Sequence, residues 1–211
     1  MFVDAVADQG HVFEARYFWH QTNDPYVKFL AEFFLRRSNR TTVSRFLPAF
    51  LARFPVADSL AKADSSEVLV EAQWAGMRAR TACLPYIVSR FIEQPSWTVR
   101  ELKGLPNIGE YGAQGMGLYI FGLPVFPIDN NVRRVVGRWF GADNEAKIAV
   151  VVEAIRCEAL ETGGQARLRT AHMGVLALGW DSCRSKPACG SCPLSSKCAY
   201  STRAGAGVMV R

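Results

Sequence analysis

The chain has 211 residues, 49% of them hydrophobic, and a net charge of +6 in which 19 of the 25 basic residues are arginine. That is enough apolar material for one full core or two interlocked lobes, and it excludes an intrinsically disordered protein. The opening "MFVDAVADQGHVFEARYFW" lacks the basic head and apolar core of a signal peptide, and the longest apolar run, "GLYIFGLPVFPI", is interrupted by two prolines and too short to span a bilayer. A cytoplasmic protein with no membrane association is therefore expected, in a reducing compartment that disfavours structural disulfides. The arginine excess suits a polyanionic partner, because guanidinium forks match phosphate oxygens; a genome rich in arginine codons accounts for it equally well.

Helical periodicity dominates from the N-terminus onward. In "PYVKFLAEFFLRRS", Tyr26, Phe29, Leu30, Phe33 and Phe34 recur at helical spacing. Glu32 falls outside that stripe, where it can pair with Arg36 one turn later. Cys83 and Cys157 sit among apolar helix residues and read as small buried hydrophobes. "NEAKIAVVVEAIRCEALE" and "ARLRTAHMGVLALGW" are helical, the second nearly all buried. Strictly alternating strand patterns, internal repeats and flexible linkers are absent, and only the tail "STRAGAGVMVR" is expected to fray. The fold class is all-α.

Between two helical stretches stands "LPNIG". Pro106 ends the first helix, Asn107 tolerates left-handed backbone, and Gly109 permits close approach before a helix that begins near Glu110. Such a turn points backbone N–H groups and a positive helix end outward. It is either a phosphate site or an ordinary connector between helices. Eighteen residues after Tyr111, Asp129 precedes a helix carrying Val132, Val135, Val136 and Trp139, a favourable N-cap position that is sufficient reason for an Asp. Near the C-terminus, Cys183, Cys189, Cys192 and Cys198 are spaced C-x5-C-x2-C-x5-C. Four thiolates at this spacing suit one metal centre, and both zinc and a [4Fe–4S] cluster accept them.

The order of these motifs resembles the helix–hairpin–helix DNA glycosylases of the endonuclease III superfamily. The hairpin "LPNIG", the Asp of "PIDNNVRRV" and the loop "SKPACGSCPLSSKC" carry the resemblance, together with "DPYVKFLAEFFLRRSNRTTVSRFLPAFLARFP", which is similar to the N-terminal helix pair of the adenine and thymine mismatch branches. It extends from about Asp24 to Cys198. The first cysteine interval is one residue shorter than the family's usual six, and Asn107 replaces the usual hairpin glycine.

The resemblance implies a two-lobed fold: a six-helix barrel over 24–127, and an iron–sulfur lobe formed by 1–23 with 128–211. Its partner would be double-stranded DNA containing a mismatched or damaged base, bound across a groove with Tyr111 and Asp129 at its mouth, by a protein acting as a monomer. The four cysteines would hold a [4Fe–4S] cluster that shapes the following loop, so that Arg184 and Lys186 meet DNA phosphates. Asn107, Ile108 and Gly109 would bind phosphate at the hairpin. Arg37 and Met77 would fill the gap left by the flipped base; otherwise they are ordinary surface side chains.

Chemistry follows from the substrate. A stacked base must be flipped out, and cleaving its N-glycosidic bond builds positive charge on the sugar. Asp129, kept ionised by helix-cap N–H groups, would stabilise that charge or activate water. Glu32 would bind or protonate the leaving base in its pocket. Lyase members of the superfamily carry a lysine where this chain has Tyr111, and a phenol forms no Schiff base, so hydrolysis without efficient strand cleavage is expected. Adenine-excising relatives usually have Ser there and a further C-terminal domain; here 13 residues follow Cys198. Tyr111 and "LRRS" thus resemble the thymine/uracil branch, with removal of T or U opposite G. Two other readings stay open: an adenine mismatch glycosylase, and a non-catalytic DNA-binding module with a four-cysteine zinc site.

Overall fold

The computed structural model of the protein describes residues 2–206. Every regular element among them is helical, in accord with the periodicity of the sequence. In chain order the α-helices are α1 (Phe2–Glu14), α2 (Phe18–Gln21), α3 (Pro25–Leu35), α4 (Arg40–Arg53), α5 (Ala57–Ala61), α6 (Ser65–Glu71), α7 (Arg78–Thr81), α8 (Leu84–Glu93), α9 (Val99–Gly104), α10 (Glu110–Phe121), α11 (Asn130–Phe140), α12 (Glu145–Asp181) and α13 (Ala199–Ala206). None of the described helices is long and apolar enough to cross a membrane.

The chain divides into two compact units. The first is Tyr17–Leu123, which holds α2 to α10. Its core is built from aromatic rings: Trp19, Phe29, Phe33, Phe34, Phe50 and Phe54 are almost wholly buried, with Leu30, Leu47, Leu84 and Leu102 between them. Phe34 meets Phe50 edge-on at 5.3 Å and Trp74 at 4.7 Å, so the C-terminal half of α3 is gripped from two sides. The amphipathic stripe of α3 causes this burial, and Asp24 starts the helix by accepting the Tyr26 N–H at 2.8 Å. Cys83 is half-buried rather than buried: its thiol donates to the Ala79 carbonyl at 3.4 Å at the start of α8.

The second unit joins the residues up to Arg16 with those from Pro124 onward. Here α1 lies against α12 with almost no gap. A Cβ on Gly10 would overlap the Thr170 carbonyl, and one on Gly174 would overlap that of Val6. Two glycines thus let the backbones touch, and the "ARLRTAHMGVLALGW" segment is buried almost throughout, as its composition predicts. The two helical stretches read in the sequence are the two halves of α12, which break at Gly163 and Gly164, the latter at φ 63°. Cys157 is also half-buried, beside Arg156 and Glu153, because it lies next to the polar face of α12. Of the tail expected to fray, Ser201–Ala206 continue α13, and 207–211 lie outside the described residues.

Candidate active-site residues

In the first unit, α9 and α10 form the hairpin that the sequence places at "LPNIG". α9 begins with a reciprocal cap: Glu101 N–H donates to Thr98 Oγ1 at 3.3 Å while Thr98 N–H donates to Glu101 Oε2 at 2.7 Å. After Leu105 the chain turns through Asn107, the one non-glycine residue at positive φ (58°) among those described. Asparagine accepts this conformation at little cost, and so replaces glycine here. Leu105 and Ile108 are buried and anchor the turn, whereas Asn107 and Gly109 are exposed. A Cβ built on Gly109 would meet nothing within 4 Å, so the outer side of the hairpin is open to a ligand. Asn107 also donates to Cys83 Sγ at 3.5 Å.

Tyr111 follows on the first turn of α10 and is exposed. Gly112 and Gly115 follow on α10, and side chains from α3 and its C-cap, Arg36, occupy the space these glycines leave. The Arg36 guanidinium lies where a Cβ of residue 112 would stand, and Glu32 Oε2 comes within 3.6 Å of a Cβ on Gly115. Glu32 is half-buried as a residue, but its carboxyl is deep. Burial pushes its pKa up to about 7, against the opposing pull of Arg36 and Arg40. Arg36 Nη1 is itself buried without a hydrogen-bond partner. The structure therefore places the Glu32 carboxyl against α10, as a desolvated group rather than a solvated surface pair with Arg36. Arg37 is exposed, and Met77 is buried beneath the Arg80 side chain, whose Nη1 lies 3.8 Å from its sulfur.

In the second unit Asp129 is the N-cap of α11. Its Oδ1 accepts from the N–H groups of Asn131 and Val132, both at 2.8 Å, and its Oδ2 accepts from Asn131 Nδ2 at 2.7 Å. The carboxylate is thus fixed by three donors at a positive helix end. From the same helix Arg134 donates to Asn131 Oδ1 at 2.7 Å, Cys183 O at 2.6 Å and Gly179 O at 2.9 Å. Arg138 donates to Arg184 O at 2.6 Å and Ser185 O at 3.1 Å, and its Nη1 lies 3.4 Å from Cys183 Sγ. Beneath α11, the fully buried His172 meets the Pro127 carbonyl at 2.9 Å, and burial drops its pKa to about 4, so the ring is neutral. The sequence reading missed Asn131, Arg134 and Arg138. "DNNVRRVVGR" does carry a signal, since 131, 134 and 138 share one helical face.

Cys183, Cys189, Cys192 and Cys198 are all half-buried and line one cavity of about 30 Å³. Burial raises the Cys192 thiol pKa, and the other three sulfurs raise it further, so the four sit within electrostatic reach of one another. Among the described residues no His, Cys, Asp or Glu cluster is gathered to hold a single metal ion. Arg184 and Lys186 are exposed on the loop that follows Cys183.

No protein-family profile matches the chain. It is 24% identical over 190 residues to a thymine/uracil-DNA glycosylase of Methanothermobacter thermautotrophicus, covering 86% of this chain and 85% of that one. It is 28% identical over 186 residues to a thymine/uracil-DNA glycosylase of Pyrobaculum aerophilum, covering 84% and 81%. An adenine DNA glycosylase of Mycolicibacterium smegmatis is 28% identical over 171 residues, 79% of this chain but 58% of that longer one. Among solved structures, a thermostable thymine-DNA glycosylase superposes with a TM-score of 0.76 at 21% identity, over 96% of this chain and 97% of its own. An endonuclease III–DNA complex superposes at 0.68 and 17% identity, over 87% and 86%. The fold is that of the helix–hairpin–helix glycosylases.

Proposed function

We infer that this chain, a member of the helix–hairpin–helix superfamily of endonuclease III, is a monofunctional DNA glycosylase that hydrolyses the N-glycosidic bond of T or U opposite G. The observation that carries the reading is the cap at Asp129: a carboxylate fixed by three hydrogen bonds, on the helix that follows the hairpin helix. Held there, it meets the positive charge that grows on the sugar as the base departs, without reorganising during the reaction. Glu32 supplies the second carboxyl. With burial pushing its pKa up to about 7, a substantial fraction of it carries a proton at neutral pH and can give that proton to the leaving base. Tyr111 stands after the hairpin in place of an amine nucleophile, which leaves water to complete the reaction.

Duplex DNA is held first by its backbone. The exposed turn at Asn107 and Gly109 approaches phosphate without reading sequence, and Ile108 anchors it from below. Four cysteines around one cavity fit a [4Fe–4S] cluster, and Cys183, Cys189, Cys192 and Cys198 would hold it. When bound, the cluster would supply a covalent anchor for the loop carrying Arg184 and Lys186. This chain's Arg134 and Arg138 fasten the same loop to α11 through its backbone carbonyls.

Tyr111→Lys tests the monofunctional assignment. The variant is expected to gain strand cleavage without alkali and to become trapped on DNA by borohydride, while the wild type does neither. Alkali-independent cleavage by the wild type would contradict the reading.

A further inference from the structure

Arg80 belongs to neither the hairpin nor the cysteine loop, yet it carries a vacancy. Its guanidinium carbon lies over the Phe33 ring, 5.0 Å from the ring centre. Nε and Nη2 are buried and have no hydrogen-bond partner. Arg36 Nη1 is in the same condition. Burial drops the Arg80 pKa to about 10, and the resolved charges acting on it, Arg36 and Arg37, are both positive and lower it further. Arg36 and Arg80 thus lie within electrostatic reach of one another and leave three buried donors without acceptors, while Arg37 is exposed.

Such an arrangement is costly in the free protein. Buried donors are ordinarily satisfied, and like charges in a desolvated setting are ordinarily paired. Glu32 and Tyr111 favour the charged form of Arg36, but no resolved negative charge acts on Arg80. The three buried donors keep no acceptor within the unit, and an acceptor from outside would satisfy them. Guanidinium forks suit phosphate oxygens, which offer several acceptors and the negative charge that offsets both cations. Arg36 and Arg80 are each half-buried rather than buried, so both side chains are partly open to solvent.

We propose that Arg36 and Arg80 form a phosphate-binding pair, separate from the hairpin and the cysteine loop, that takes one backbone phosphodiester of the bound DNA strand. The proposal rests on the glycosylase reading and adds a contact site to it. Gly112 takes part by leaving the space in which the Arg36 guanidinium rests.

The test measures binding of a G·U duplex across a salt series, with the melting temperature of each DNA-free protein and base release by each. Arg80→Met keeps an unbranched apolar side chain and removes the charge together with the cation–π contact to Phe33; Arg80→Lys keeps the charge. In Arg80→Met the slope of log affinity against log salt is expected to shrink by roughly 0.9 for the lost phosphate contact. Affinity should fall equally for matched and mismatched duplexes, and the melting temperature should hold or rise. Arg80→Lys should keep the slope. Gly112→Ala, which displaces Arg36, should weaken binding in the same uniform way. A wild-type slope in Arg80→Met, a lower melting temperature, or a loss confined to one mismatch would overturn the proposal while wild-type base release leaves the glycosylase reading intact. A wild type that neither binds duplex nor releases base overturns both.

Discussion

Asn131 holds Asp129 by two different donors, its backbone N–H on Oδ1 and its side-chain amide on Oδ2, each within 2.8 Å. The carboxylate is thereby fixed in orientation as well as position, since both oxygens are engaged. Asp129→Asn retains the shape and most of the capping but removes the charge. DNA binding and melting temperature should change little, because Asn is an equally good N-cap. Base release should fall by about 10²–10³, or roughly 3–4 kcal/mol, as expected for loss of a preorganised electrostatic group. Single-turnover kinetics on a mismatched duplex, beside an anisotropy titration, measure the two quantities; near-normal turnover would remove Asp129 from the mechanism.

Glu32 yields a pH prediction with a definite sign. Its folded pKa, about 7, lies above the ordinary carboxylate value of 4.5. Between those values the folded state binds more protons than the unfolded state, so this residue makes stability decline as pH rises through that window. Glu32→Gln should flatten the decline and be the more stable protein above pH 7, as followed by melting temperature against pH. For base release, an acid role predicts a fall above about pH 7 in the wild type that is absent from the much slower Gln variant. An identical profile in both would show that the falling limb belongs to another group.

The cysteine loop makes a compositional prediction. Anaerobically purified protein should be brown and contain iron and acid-labile sulfide in equal amounts. Stoichiometric zinc without iron would contradict the cluster and favour a mononuclear site. Cys192→Ser should lose the chromophore and lower stability, because metal binding and folding of such loops are coupled. The Arg134 and Arg138 bonds to Cys183, Arg184 and Ser185 carry that loss toward α11.

The sequence makes the all-α class and the hairpin legible for local reasons: helical spacing, a proline stop, and an asparagine that tolerates positive φ are properties of neighbouring residues. Asp129 as an N-cap was equally local. What Arg36 does was not, because its environment is set by Gly112, 76 positions away, and i+4 spacing on its own suggested a solvated pair with Glu32. Arg134 and Arg138 were hidden for a related reason. Their acceptors are backbone carbonyls of a loop more than 40 residues downstream, and carbonyls leave no trace in side-chain patterns. Met77, read as an exposed side chain or a gap filler, is buried as part of the aromatic core of its unit, with Arg80 Nη1 reaching its sulfur.

Base release from a panel of labelled duplexes tests the central claim most directly. G·T, G·U and A·8-oxoguanine duplexes, with correctly paired controls, are incubated with the protein and split into samples with and without hot alkali. The account predicts T and U released opposite G, revealed as strand breaks only after alkali, with no more than slow release of adenine. Adenine release as the fastest reaction, strand breaks before alkali, or no base release from any duplex by iron-loaded protein would contradict it.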